Sequence, residues 1–343
     1  MHLMKRYPPL VAIAALCAAF PLLAQEAKTY PAPSEIVAAA KADEWVAIEP
    51  SDLMIMDLAP DSIGRPRRVV IQLIPEPFSQ GWIGNIRKLA AAKFWDGTSI
   101  NRVQDNYVVQ WGDATEKKTL PEGLAVVPES EYVVGDLLSK NRKVLDEIGS
   151  GNARRRAIAD ERLKAEKSPG TTIAPSAIPQ AYRGRDPYSD AQGFYSGWPV
   201  ASHYRDLSPT HCYGMVGVGR NLSPDTGTGA ELYTVIGHAP RHLDRNIALV
   251  GRVIEGIEHM SSLPRGTGAL GFYETEGERV PILSVRLGND VKDVPAFEYL
   301  NTDSASFAAY ADARANRRDP FFNVPAGGAD ICNIPVPIRR KAS

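Results

Sequence analysis

Apolar and polar positions alternate over short runs along much of this chain, and the runs are bounded by Gly, Pro, Asn or Asp. Residues 44–59 (EWVAIEPSDLMIMDLA) predict a strand, with Leu53, Ile55 and Asp57 alternating against Met54, Met56 and Leu58. Gly64 and Pro66 mark a turn into a second strand, Arg68–Ile74, so the two read as an antiparallel pair. From 79 to 94 the period changes. Trp82, Ile86, Leu89 and Ala90 fall on one side of a helix, with Ser79 at its N-cap and Gly84 costing about 1 kcal/mol relative to alanine. Beyond the Asp96-Gly97 turn, strands are predicted at 99–103 and 107–110. Strand patterns resume at 212–220, 230–237, 247–254 and 279–288, with a short helix at 255–263. Many short strands with two scattered helices predict a mainly β fold, a barrel or a sandwich.

The stretch from about 116 to 210 is different. Residues 139–167 are dense in charge and partly helical in pattern, with Arg154, Arg155 and Arg156 as a solvated face; the Pro-, Gly- and Tyr-rich residues that follow read as loop. Because strands resume afterwards, 116–210 reads as an insertion within one domain of residues 53–290. It is preceded by a leader at 25–52 and followed by a C-terminal extension at 291–343.

Lys5 and Arg6 precede an apolar run from Leu10 to Ala24, the arrangement of a secretory signal peptide cut after Ala24. At about 15 residues the run is short of the ~20 a span requires, and Pro21 interrupts it. The expectation is export, in a periplasmic setting, with no stable membrane span after cleavage. The whole chain has 343 residues, 44% hydrophobic and 23% charged, and a net charge of −1. Nothing in that balance favours a nucleic-acid partner. Export leaves two cysteines, Cys212 and Cys332. In an oxidising compartment they can pair, which would pin the tail to the domain; the alternative is two buried free thiols. There is no CxxC, and His238 and His242 are separated by Pro240, so no metal and no cofactor is expected. Asp225-Thr226-Gly227 occurs once, without the second carboxylate an aspartic protease needs, and reads as a turn.

Taken in order, these segments resemble one family. A strand enters a helix carrying Asn85; then come Asp96-Gly97-Thr98, an arginine strand with Arg102, and Gln110-Trp111-Gly112-Asp113. In the back half, GMVGVGRN, AELYTVIG and HLDRNIALVGRVIEGIEHM follow at matching spacings. Over about 67–115 and 212–288 the chain resembles a cyclophilin-type peptidyl-prolyl isomerase. The resemblance implies a closed antiparallel eight-stranded β-barrel capped by two helices, and substrates that are proline-containing polypeptides. It also implies Arg102 and Gln110 as catalytic groups, and a proline pocket of Tyr107, Val108, Tyr233 and Leu243. It implies that Gly219, Arg220 and Asn221 line the peptide groove, and that Glu231 and His242 are substrate-binding residues with them. Three positions depart from the family pattern: Glu231 for its glutamine, His242 for its tryptophan, and Ile247 for its histidine or tyrosine. Two functions are therefore expected to compete, an isomerase assisting the folding of exported proteins and a weak or inactive proline-peptide binding module of the cell envelope.

An arginine suffices for this chemistry. Rotation about an X-Pro bond breaks amide resonance at a cost of ~18–20 kcal/mol, and no bond to carbon is made or broken. In the twisted state the prolyl nitrogen regains its lone pair, so a donor aimed at it binds that state better than either planar one. Guanidinium is permanently charged and presents a fixed fork of donors.

Overall fold

The computed structural model describes residues 30–136, 140–166 and 186–341. The signal peptide expected at 1–24 lies outside them. In chain order the elements are α1 (Pro33–Ala38), β1 (Trp45–Ile48), β2 (Leu53–Leu58), β3 (Arg67–Leu73), α2 (Gln80–Ala91), β4 (Ser99–Val103) and β5 (Val108–Gly112). Next come α3 (Arg142–Glu166), β6 (Ala191–Tyr195), β7 (Trp198–His203), β8 (Asp206–Pro209), β9 (Met215–Val218), β10 (Leu232–Val235) and β11 (Leu249–Glu255). The chain ends with α4 (Glu258–Ser261), β12 (Val280–Leu287), β13 (Phe297–Leu300), α5 (Ala305–Ala315) and β14 (Ile338–Arg340).

Eight antiparallel strands close a barrel in the order β2-β3-β11-β9-β10-β5-β4-β12 and back to β2. Closure leaves no unpaired edge. Met54, Met56, Leu58, Val69 and Ile71 point into the barrel, where Val109, Trp111, Val216 and Leu232 meet them. The apolar face of α2 seals the barrel with Trp82, Ile86 and Leu89, each fully buried. The expected cap differs: Ser79 stands before the helix with φ 54° and no side-chain bond to it. The second helix is also shorter than its pattern, at Glu258–Ser261.

The leader and the extension are not appendages. Residues 44–59, expected as one strand, form two, because Pro50 turns the chain between β1 and β2. β1 pairs with β13 and β13 with β14, so leader and tail build one three-stranded sheet. That sheet covers the outer face of β2 and β3, where Leu53, Ile55 and Val70 pack on Ile48 and Phe297. Both faces of β2 are therefore buried, which is why its sequence is nearly continuous in apolar residues. The tail has a small core of its own, since Phe307, Tyr310 and Ile331 cluster with Trp45, Phe194 and Leu300. Its helix α5 packs against α1 and α3.

The insertion is more ordered than expected. Residues 191–199, loop by composition, instead enter β6 and β7, which with β8 form a second three-stranded sheet. It docks through Arg252 on β11. The Arg252 guanidinium donates to Gln72 Oε1 at 2.9 and 2.7 Å and to the Gly197 carbonyl at 2.6 Å, and lies 4.3 Å from the Trp198 ring centre. Burial pushes this arginine down to about 9. Arg155, expected in a solvated face, instead lies 5.1 Å from the Phe194 ring, and burial lowers it to about 10.

Cys212, just before β9, is joined to Cys332 in the tail, with a Cα separation of 5.1 Å across 120 residues of chain. A loop of that length is worth about 4–5 kcal/mol in the chain-entropy model, often less in practice. Cys332→Ser is therefore expected to lower the stability read from urea unfolding by up to that amount. It should leave barrel circular dichroism intact, and an unchanged midpoint would mean that the tail needs no bridge.

Candidate active site

The site is a row of side chains across the outer face of four adjacent strands. In the pairing register Arg102 on β4 faces Gln110 on β5, Gln110 faces Tyr233 on β10, and Tyr233 faces Gly217 on β9. Gly217 must be glycine for a steric reason: a Cβ there would stand 2.3 Å from the Tyr233 hydroxyl, so the ring lies in the space a side chain would occupy. The register of β4 against β5 shifts between Ile100 and Arg102, and the bulge turns Arg102 outward while Ile100 stays in the core.

All three nitrogens of Arg102 are engaged. Nε donates to the Leu270 carbonyl at 2.8 Å, Nη1 to Gln110 Oε1 at 3.1 Å, and Nη2 to Gln104 Oε1. The guanidinium also lies 5.2 Å from the Phe272 ring centre and 5.9 Å from that of Tyr107. Every acceptor is neutral. Among the described residues Arg102 forms no ion pair, so its charge is undiminished while its position is held. Half-burial lowers its pKa, but a guanidinium remains protonated at neutral pH. A glutamate at position 231, where the family has glutamine, could neutralise this arginine. It does not, because Gln110 stands between them, donating through Nε2 towards Glu231 Oε2 at 3.5 Å.

Beside the row, Tyr107, Val108, Tyr233, Val235, Leu243 and Ile247 form a separate apolar cluster. With Gly219, Arg220, Asn221 and Glu231 most of it lines a groove of about 840 Å³ on the barrel surface. The groove wall is held from inside. Trp82 Nε1 donates to the carbonyls of Gly227 and Thr226 at 3.0 and 3.2 Å, and Trp95 Nε1 to that of Ala230 at 2.8 Å. His242 is the exception among the expected residues. It is exposed, stacks on the outer side of Tyr107 with ring centres 6.4 Å apart, and lines a neighbouring cleft instead of the groove. Asp225 accepts from the Asn221 and Gly227 amides, which makes its motif a turn.

Some of the site was not visible in the sequence. Leu270 and Phe272 come from an irregular segment after α4 with no periodicity to mark it. His211, which no motif marks, is buried beneath Tyr233 and bonds Asp244 at 2.9 Å through Nδ1.

Residues 65–287 match the family model described as cyclophilin type peptidyl-prolyl cis-trans isomerase/CLD. The chain belongs to the cyclophilin family. No curated protein matches its sequence. The crystal structure of cyclophilin AquaCyp293 from Hirschia baltica superposes with a TM-score of 0.58 at 20% identity, over 90% of this chain and 98% of that one, and shares its fold. A Cryptosporidium parvum cyclophilin type peptidyl-prolyl cis-trans isomerase, solved in the presence of the dipeptide Ala-Pro, is more distant. Its TM-score is 0.34 at 9% identity, covering 68% of this chain and 98% of that one.

Glu231 is the unusual group in this cyclophilin groove. Burial pushes its carboxyl up to about 7 from an ordinary 4.5; bonds from Gln110 and Asn101 pull the other way, and the charge of Asp113 adds to the rise. A carboxyl held neutral in the fold but ionised in the unfolded chain loses stability as pH rises from about 4.5 through 7. Glu231→Gln is therefore expected to flatten the decline in stability over that interval. Urea midpoints at pH 5 and pH 8 check this, and an undiminished slope in the variant would assign the decline elsewhere.

Proposed function

We propose that this chain is a peptidyl-prolyl isomerase that assists the folding of exported proteins. Its cyclophilin family and fold support isomerisation of X-Pro bonds. The single observation that carries the reading is the arginine row: Arg102, held by three neutral acceptors, points its charge over an apolar pocket able to seat a proline ring.

In that arrangement the proline ring rests on Val108, Tyr233, Leu243 and Ile247. Gln110 spends Oε1 on Arg102 and keeps Nε2, whose bond to Glu231 is long, for a substrate carbonyl. Arg102 meets the prolyl nitrogen as its lone pair develops. Because the guanidinium is already fixed, little reorganisation is needed when the amide twists, the condition under which an aimed donor is most effective. Export is supported by the pattern of the first 24 residues, and a bridge between Cys212 and Cys332 suits an oxidising compartment.

A protease-coupled or exchange-NMR assay on Ala-Ala-Pro-Phe tests the activity. Acceleration above the uncatalysed rate supports an isomerase, whereas binding without acceleration would make the groove a proline-peptide binding module.

A further inference from the structure

The groove does not end at the proline pocket. Glu231, immediately before β10, lies two residues from Tyr233, and on β5 Gly112 lies two from Gln110, so both continue the same outer face about 7 Å further on. Gly112 has no side chain to fill that place; the Glu231 carboxylate does. A Cβ on Gly112 would lie 1.9 Å from Glu231 Oε1.

The company this carboxylate keeps is unusual. It accepts hydrogen bonds from the neutral amides of Gln110 and Asn101 and from the Asp113 backbone, and the charge that acts on it is that of Asp113, of like sign. No arginine of the groove serves it. Arg102 is spent on Gln110, Gln104 and Leu270, and Arg220 donates to the carbonyls of Asn221 and Asn246. Arg279 also lines the groove; among the described residues it forms no ion pair, and its buried Nε has no hydrogen-bond partner. Of the other acids at this end, Asp113 is capped by the amides of Thr115, Lys117 and Lys118, and Asp225 by those of Asn221 and Gly227, while Glu116 stands at the groove edge. A largely buried carboxylate without a cation is costly, and a cation brought to it offsets that cost.

We propose that Glu231 makes the groove selective for polypeptides carrying a lysine or arginine two residues from the proline. An extended peptide repeats its side-chain direction every second residue, about 7 Å apart. With proline in its pocket, the side chain two positions away on the same face is therefore the one that reaches Glu231. The inference rests on the isomerase reading for the seating of proline, and its chemistry is a charge-assisted hydrogen bond from the ligand to the Glu231 oxygens. Ionised Glu231 is the form that accepts the cation, so the preference strengthens as pH rises through about 7 and weakens below it.

The test compares alanine-based peptides with lysine or its uncharged analogue norleucine two residues before the proline, and a second pair with the substitution two residues after it. For the unaltered protein, kcat/KM is expected to favour lysine about five- to tenfold in one of the two pairs, as one added charge-assisted bond in a partly wet site would produce. The advantage should be larger at pH 8 than at pH 6. In Glu231→Gln the lysine-to-norleucine ratio is expected to fall to about one, whatever the absolute rate of that variant. Equal values within both pairs, or a lysine preference that survives Glu231→Gln, would overturn the proposal. If no peptide is isomerised, the isomerase reading fails by itself, and the same pairs are compared by calorimetric Kd. A lysine advantage lost in Glu231→Gln then upholds the subsite, and indifference or failure to bind refutes it.

Discussion

Arg102→Ala is expected to lower kcat/KM for an uncharged Ala-Ala-Pro-Phe peptide by about 10²–10³-fold, the loss typical of removing one pre-aimed donor from a developing charge. The expectation follows from how the guanidinium is held. Leu270, Gln110 and Gln104 fix it with neutral acceptors, so its charge is directed over the pocket and not consumed in an ion pair. Lysine at this position is expected to recover little, because a single ammonium cannot satisfy three acceptors and also face the prolyl nitrogen. The fold should survive. Arg102 sits at the open groove, and the side chains it leaves behind can be hydrated. Unchanged thermal unfolding with a collapsed rate is the expected pair of results. Equal rates for the two proteins would remove Arg102 from the chemistry and favour the binding-module reading.

The second large effect concerns stability. Arg241 is 2% exposed and joins three parts of the chain remote in sequence. It donates to Asp186 at 2.8 Å within the insertion and to Asp244 in its own turn, and it lies 3.7 Å from Asp330 in the tail. Asp186 and Asp244 are themselves only 1% and 6% exposed. Removing the arginine leaves two buried carboxylates without a cation, and breaking a buried pair in this way costs about 3–5 kcal/mol. Arg241→Ala is thus expected to show a much lower urea midpoint. Leu243, which belongs to the proline pocket, lies between Arg241 and Asp244 in the same turn, so peptide affinity should weaken along with stability. A midpoint within 1 kcal/mol of the parent, on the ~1 kcal/mol scale of exposed ion pairs, would show that the network contributes no more than a surface bridge.

The barrel was legible because its signals are local. Alternation over four to seven residues, Asp96-Gly97 at a turn and the 3.6-residue spacing of Trp82, Ile86 and Leu89 each follow from geometry within one element. The ordered motifs then placed Arg102, Gln110, Tyr107, Val108, Tyr233 and Leu243 on one face, where the structure also has them. What the sequence could not express is which outer faces of the barrel are covered, and by what. β2 reads the same whether its second face meets solvent-excluding neighbours or another copy of a sheet; only the folded chain shows leader and tail lying over it as β1, β13 and β14. Equally, no spacing brings Leu270 and Phe272 to Arg102, Asp186 to Arg241, or Gln110 between Arg102 and Glu231. His242 falls outside the groove although it adjoins a pocket residue, because the turn at 241–243 points successive side chains in different directions. Periodicity specifies the direction of a side chain relative to its own strand or helix. The partners of charged and irregular positions are set by contacts between different segments, 55 residues apart for Asp186 and Arg241 and 168 for Arg102 and Leu270, and those exist only once the barrel has closed.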